Sequence, residues 1–302
     1  MKVLIVGLGS IAKKHIMAMK SQFDTCEIYA LRSSQNAKSV NGIRNIFHKS
    51  EIPSDIDFSI IANPTSEHAQ AIELLADLRK PIFIEKPVLN SLESVKELKN
   101  IILENQVVTY VGCNLRFHPV IQRLKEEMGK RRPIEMNVYC GSYLPDWRSG
   151  SDYREVYSAK KSLGGGVHLD LIHELDYSIY LLGLPMESQS FRAKKSCLEI
   201  DSEDIAHYVL DYKDTTAFIT LNYYRRQVKR KIECVWQDET WIADLITGEI
   251  KDDKGEKIFS QEFDIMDTYK NQLRYFWQLI NSDEKPMNDF EEAVDVLKIC
   301  LN

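Results

Sequence analysis

The first hundred residues alternate short, almost wholly apolar runs with segments whose apolar positions recur every three or four residues. The runs are KVLIVG, CEIYALR, DFSIIAN, PIFIEKP and VVTYVGC, and the helical patterns between them lie near 11–20, 67–78 and 92–104. Runs this uniformly apolar leave no wet face, so they predict a parallel sheet covered by helices on both sides.

From about Phe117 the pattern changes. A helical segment, PVIQRLKEEM, leads to a long strand-like run, IEMNVYCGSY, then to a loop and to a helix that begins within GGGVHLDLIHELD. Strand patterns follow in AHYVLDY, TAFITLNYY, KIECVWQ and TWIADL, separated by turn signals such as Lys213-Asp214 and Gln237-Asp238, before two closing helices. Successive strands with short connections predict a mostly antiparallel sheet. With 302 residues the chain exceeds the usual single-domain size. The fold class expected is α/β, with a doubly wound domain over 1–116 and an α+β domain over 117–302.

Composition narrows the function. Apolar content of 44%, charged content of 28% and a net charge of −6 describe an ordinary globular chain and argue against a nucleic-acid footprint. The basic run Arg225-Arg226-Gln227-Val228-Lys229-Arg230-Lys231 is the exception, and its strand-like alternation reads as a solvated sheet edge. Six cysteines lack any C-x-x-C spacing, which fits buried free thiols better than disulfides or a zinc site, and no metal is expected. No signal peptide precedes the first strand and no apolar run spans a bilayer, so a cytoplasmic protein without membrane partners is expected.

GLGSIAKKH follows the first strand and opens a helix, giving G-x-G-x-x-A at Gly7, Gly9 and Ala12. The first glycine permits the tight turn, the second lets the backbone approach a pyrophosphate, and the small third residue lets helix and strand pack closely. In this βαβ context the motif predicts a Rossmann-type dinucleotide site, with Ser10 and Ile11 at the helix N-terminus. The second strand ends in Leu31, Arg32, Ser33 and Ser34, where an NAD enzyme places a carboxylate for the ribose 2′-hydroxyl. Arg32 and Ser33 suit a 2′-phosphate instead, so NADP is the expected cofactor, with NAD as the alternative.

FIEKP ends another buried strand and places Glu85 and Lys86 at its carboxyl edge, where ligands bind in open α/β sheets. Taken in order, GLGSIAKKH, ANPTSEH, EKP and GGG…D…H resemble the glucose-fructose oxidoreductase/inositol dehydrogenase/MocA-like (Gfo/Idh/MocA) family over nearly the whole chain. The resemblance implies a Rossmann domain, a C-terminal domain on an open sheet, and NAD(P)-dependent oxidation or reduction of a sugar or cyclitol hydroxyl. It also implies a homo-oligomer, dimer or tetramer, through that sheet. The segment YLPDWRSGSDYREVYSA with NLRFHP is similar to a subgroup associated with bacterial surface glycans.

Carried onto this chain, the resemblance makes Lys86, Asp170 and His173 the catalytic set. The family histidine usually lies four residues after the aspartate; here it lies three after, and i and i+3 still share a helix face. Lys86 would polarise the reacting oxygen, His173 exchange its proton and Asp170 hold a hydroxyl in register. Asp170, His173 and Tyr177 are expected on one helix face and Leu171, Leu175, Ile179 and Leu182 on another, while His168 reads as structural. Asp176 either orients the imidazole or faces solvent.

Asn63, Pro64, His68, Glu85, Lys86 and Asn114 are expected to border the cofactor, with His118 near the cleft. Arg116, Tyr143, Trp147, Arg148, Tyr153, Arg154 and Tyr157 suit a polar, anionic sugar or nucleotide sugar, the alternative for the loop among them being a dimer contact or packed lid. Two other functions stay open: redox-neutral elimination or epimerisation with tightly held NAD, and a non-catalytic nucleotide-binding regulator.

Overall fold

The computed structural model describes residues 1–23, 25–148 and 150–302. They form two compact units: Met1–Asn114 with Ile265–Leu297, and Leu115–Asp264 with Lys298–Asn302.

The first unit is built on six strands, β1 (Lys2–Val6), β2 (Glu27–Leu31), β3 (Ile43–Ile46), β4 (Phe58–Ile61), β5 (Ile82–Glu85) and β6 (Thr109–Gly112). All are parallel, in the spatial order β3-β2-β1-β4-β5-β6. The order reverses between β1 and β4, and the crevice beyond their carboxyl ends is where such a sheet receives ligands. Strand β3 escapes the hydrophobic pattern because IRNI buries only Ile46. Helix α1 (Ser10–Lys20) buries Ala12, His15, Ile16 and Met19, the 3–4 spacing that turns one stripe toward the sheet. Helices α2 (His68–Ala76) and α3 (Val95–Glu104) follow β4 and β5.

The second unit opens with α4 (Pro119–Met128) and the long strand β7 (Glu135–Tyr143), followed by α5 (Val167–Asp170) and α6 (His173–Leu182). Strands β8 (Glu187–Ala193), β9 (Ile205–Asp211), β10 (Thr216–Asn222), β11 (Tyr224–Val235), β12 (Thr240–Asp244), β13 (Glu249–Lys251) and β14 (Lys257–Ser260) complete an eight-stranded sheet ordered β14-β13-β12-β11-β7-β10-β9-β8. Only β7 and β10 pair in parallel, so the sheet is mostly antiparallel as expected. Alternation sorts its faces. Met136, Val138, Cys140, Ile219, Leu221 and Ile232 are buried beneath helices that include α6. The opposite face carries Tyr139, Phe218, Thr220, Lys229 and Lys231 around an open groove of about 720 Å³.

The basic run therefore does not guard an edge. It lies on β11, an interior strand between β12 and β7, and its register with β7 shifts between Tyr224 and Lys229. Lysine and arginine are tolerated there because the sheet has one wet face, where Arg225 and Lys229 stack on Tyr139.

Past Asp264 the chain returns to the first unit through α7 (Ile265–Leu279) and most of α8 (Phe290–Leu301). The expected division at 116/117 falls two residues from the observed one, but 265–297 does not belong with the second unit. The physical reason lies in α7: Tyr269, Leu273, Phe276 and Leu279 complete the core around Phe58, Phe83 and Tyr110. Phe276 meets Phe58 and Phe83 edge-on at 5.2 and 5.5 Å between ring centres. Before α8, Asn288 exchanges bonds with Val111 and covers the edge strand β6.

Candidate functional site

Each unit presents its own set of the expected residues. In the first, Gly7 turns the chain out of β1 at φ +84, and a Cβ there would lie 2.8 Å from the Asn63 backbone, so only glycine fits. Gly9 caps α1 with extended backbone and no side-chain cap, and a Cβ on it would meet nothing within 4 Å. Bare backbone facing open space at the uncapped end of an eleven-residue helix is a cradle that fits a dinucleotide phosphate. Ser10 is exposed there and Ala12 is fully buried, as close packing of helix on strand requires.

At the end of β2, Arg32 is half-buried and donates from Nη1 to Asn45 Oδ1 at 3.3 Å, while Ser33 is exposed. The loop after β4 places Asn63 half-buried and Pro64 exposed. His68 lies inside, its ring nitrogens 3.2 Å from the carbonyl oxygens of Val88 and Asn63. Burial lowers its pKa against the pull of those two carbonyls. It thus ties the Asn63 loop to the turn after Lys86 without offering itself to a ligand.

Glu85 and Asn114 are likewise turned inward, in contrast to the expectation that they contact cofactor. Glu85 is 6% exposed and bonds His15 Nε2 at 2.5 Å. Asn114 donates to Thr268 Oγ1 at 2.7 Å, fastening the start of α7. A polar group inside a core must find a partner, and here the core supplies one. Lys86 is half-buried and precedes a cis peptide bond to Pro87.

In the second unit, the three glycines serve the backbone. A Cβ on Gly165 would lie 2.2 Å from the Tyr157 carbonyl oxygen, which packs the glycine turn directly under that segment. The helix expected to follow is broken: α5 ends at Asp170 and α6 begins at His173. Across the junction Ile172 and Glu174 donate to Leu169 and Leu171, three residues back, so the turn is tightened. The apolar residues Leu171, Leu175, Ile179 and Leu182 are buried as the periodicity implies.

Asp170 is 6% exposed and accepts from the Tyr223 hydroxyl at 2.5 Å. Tyr157 also hydrogen-bonds Asp170, and burial followed by that carboxylate pushes both phenols' pKa values up, so both remain donors at neutral pH. Trp147 stands edge-on to Tyr223 at 5.2 Å between ring centres, and Arg148 covers the Tyr157 ring at 5.1 Å. The loop thus brings Tyr157 onto Asp170 and sets Trp147 and Arg148 against the two tyrosines that serve it. It leaves Tyr153 and Arg154 aside: Tyr153 accepts from the Glu199 backbone, and Arg154 pairs with Asp152 and Glu199 on the surface. Tyr143 lies under Arg226.

Helix α6 is pinned by two ion pairs that the sequence does not announce. Arg116, expected to meet substrate, is 3% exposed and grips Asp176, with Nη2 to Oδ1 at 2.7 Å. Asp176 is therefore not solvated: its carboxylate is taken up by the Arg116 guanidinium. Arg230 holds the fully buried Glu174 at 2.6 Å. His118 caps α4 by accepting the Val120 N–H at Nδ1 and donates from Nε2 to the Leu245 carbonyl at 3.1 Å, and His168 is buried; burial lowers each pKa to about 4. Among the described residues no cluster could hold a metal ion, and no helix is long and apolar enough to cross a membrane. Among the described residues no disulfide forms, and four of the cysteines are buried.

Comparison with known proteins bears on what these two sets serve. Residues 1–113 match the model of an oxidoreductase family with an NAD-binding Rossmann fold, and 134–300 match that family's C-terminal alpha/beta domain. The chain belongs to the Gfo/Idh/MocA family. Within it, inositol 2-dehydrogenase of Rhizobium meliloti is 28% identical, over 59% of this chain and 54% of its own length, so the chain spans about half of that relative. Myo-inositol 2-dehydrogenase of Thermotoga maritima is 24% identical over 97% of this chain and 92% of its own. The fold is that of the WlbA dehydrogenase from Bordetella pertussis, solved with NADH and UDP-GlcNAcA: TM-score 0.79, 18% identity, covering 98% of this chain and 92% of that one.

Proposed function

We propose that this Gfo/Idh/MocA member is an NAD(P)-dependent oxidoreductase that interconverts a hydroxyl and a carbonyl on a sugar or sugar derivative, with NADP preferred. The observation that carries the reading is Asp170, a buried carboxylate fed by two tyrosine hydroxyls and set one turn before His173. A carboxylate so held accepts one more hydroxyl in a fixed direction, which is the task of orienting a polyol. The nicotinamide, when bound, accepts or supplies hydride at C4. Gly7, Gly9, Ser10, Ile11 and Ala12 hold the phosphates, Arg32 and Ser33 the 2′-phosphate, and Asn63 and Pro64 border the ring-bearing end.

The residues divide the remaining work. Lys86 polarises the reacting oxygen, His173 exchanges its proton, and Asp170 fixes a neighbouring hydroxyl. Arg148 and Trp147, packed on the two tyrosines that hold that carboxylate, recognise the anionic portion of a nucleotide sugar, which supports a role in surface-glycan metabolism. A second copy of the chain is the partner: Phe191, Phe218, Val228 and Ile242 are 51%, 41%, 59% and 38% exposed on the second sheet.

The test is a panel of sugars, cyclitols and nucleotide sugars with NADP and NAD, followed by absorbance of the reduced nicotinamide. Turnover that Lys86→Ala and His173→Ala each depress about a hundredfold or more, with nucleotide affinity nearly intact, supports the reading. Undiminished turnover in His173→Ala would move the proton exchange elsewhere.

A further inference from the structure

The buried pair His15–Glu85 lies outside the chemistry assigned above. His15 is fully buried on the inner face of α1, five residues beyond the helix start that forms the phosphate cradle. Glu85, the last residue of β5, is the immediate neighbour of Lys86. Its two carboxylate oxygens are divided: Oε1 meets His15 Nε2 at 2.5 Å, and Oε2 accepts from the Lys86 backbone N–H at 3.3 Å. The carboxylate therefore bridges a helix and the residue at which the chain leaves the sheet.

The surroundings leave the pair little freedom. Phe83 and Tyr269 stand edge-on to the imidazole at 4.9 and 5.8 Å between ring centres. A Cβ on Gly112, the strand neighbour of Glu85, would lie 2.6 Å from Phe83 and 3.4 Å from Glu85 Oε1, so glycine there makes room for both. Nδ1 of His15 is buried without a hydrogen-bond partner. The one bond the imidazole makes is therefore the one from Nε2 to the Glu85 carboxylate.

We propose that His15 and Glu85 are positioning residues for Lys86: the imidazole orients the Glu85 carboxylate, which fixes the Lys86 main chain and with it the direction in which the amine leaves the strand. The pair links that direction to α1, the helix that carries the phosphate cradle. The inference rests on Lys86 as the reactive amine, and its test reads the amine without requiring turnover.

The experiment is competitive acetylation of the free protein as a function of pH, with Lys86 followed by peptide mass spectrometry and Lys20 and Lys99 as internal references. It compares the parent with Glu85→Gln, His15→Leu and His15→Gln. Loss of a charge-assisted hydrogen bond shifts a held conformer by roughly ten- to a hundredfold, so Glu85→Gln and His15→Leu should change Lys86 labelling severalfold or more while Lys20 and Lys99 label as before. His15→Gln retains an N–H donor and should recover toward the parent. Lys86 labelling unchanged in Glu85→Gln and His15→Leu would overturn the proposal, as would a change shared equally by all three lysines. Turnover of Lys86→Met, measured separately, judges the functional reading: undiminished turnover sinks Lys86 as a reactive residue and leaves the labelling result to decide the positioning role.

Discussion

Tyr223 donates its hydroxyl to Asp170 across 2.5 Å, with the tyrosine fully buried at the bend between β10 and β11. The carboxylate is thereby aimed by a residue 53 positions away in sequence. Removing the hydroxyl leaves the ring packing and one orphaned acceptor site. Tyr223→Phe should lower kcat/KM about ten- to a hundredfold, the equivalent of a hydrogen bond to a charged group. Nucleotide Kd should stay within about twofold. Unchanged substrate kinetics with weakened nucleotide binding would take Asp170 out of the substrate site.

Two of the four buried histidines set an acid limit on stability. His118 and His168 have pKa values lowered to about 4, chiefly by burial, against about 6.5 in an unfolded chain. Above pH 6.5 both states are neutral at these sites and nothing is lost. Between about 6.5 and 4 the unfolded chain binds protons that the folded one refuses, so stability falls as pH falls and levels off below about 4. Urea unfolding at pH 7.5, 6 and 5 should show the decline, and His118→Asn should flatten its slope. An equal slope in that variant would assign the acid sensitivity to other groups.

The arginines of the second unit separate into structural and accessible ones. Arg116 and Asp176 are both buried, and breaking such a pair by removing one partner costs about 3–5 kcal/mol because the other charge is left uncompensated. Asp176→Asn and Arg116→Ala should each lower Tm markedly. Arg148→Ala should raise the KM for an anionic substrate with Tm nearly unchanged, because Arg148 is exposed over Tyr157. Arg154→Ala should do neither, since its partners Asp152 and Glu199 are exposed. A large KM effect at Arg154 instead would place the anion at the periphery of the loop.

These contrasts show what the amino-acid pattern carries and what it leaves out. Uniform apolar runs reveal β1, β4, β5 and β6, and the glycine spacing reveals the cradle, because both are local consequences of burial and backbone geometry. Strand β3 is illegible because an edge strand needs few apolar residues. The return of α7 is illegible for another reason: amphipathic helices state that they bury a face, not against which sheet. The candidate aspartate, histidine and lysine are singled out through the family order, but Tyr223 reaches Asp170, Arg230 reaches Glu174 and His15 reaches Glu85 only through tertiary contacts. Glu85, Asn114 and Arg116 read as ligand contacts in the sequence, and their buried partners His15, Thr268 and Asp176 are visible only in the fold.

The remaining prediction concerns Arg32 and the cofactor. Its guanidinium has a weak tie, 3.3 Å to Asn45 Oδ1, and Ser33 beside it is exposed. No carboxylate stands in ALRSS to capture a 2′-hydroxyl or to repel a phosphate. A guanidinium meets a phosphate with paired, charge-assisted bonds worth roughly 1.5–3 kcal/mol, or about ten- to a hundredfold in affinity. NADPH should bind more tightly than NADH by that margin, and the gap should narrow as salt rises because the contact lies near the surface. Arg32→Ala should remove most of the gap while leaving the NADH dissociation constant unchanged, and Asn45→Ala, which frees the guanidinium, should leave the preference in place. Equal NADPH and NADH affinities in the parent protein, at fixed ionic strength, would reduce Arg32 to a strand-end residue that holds Asn45.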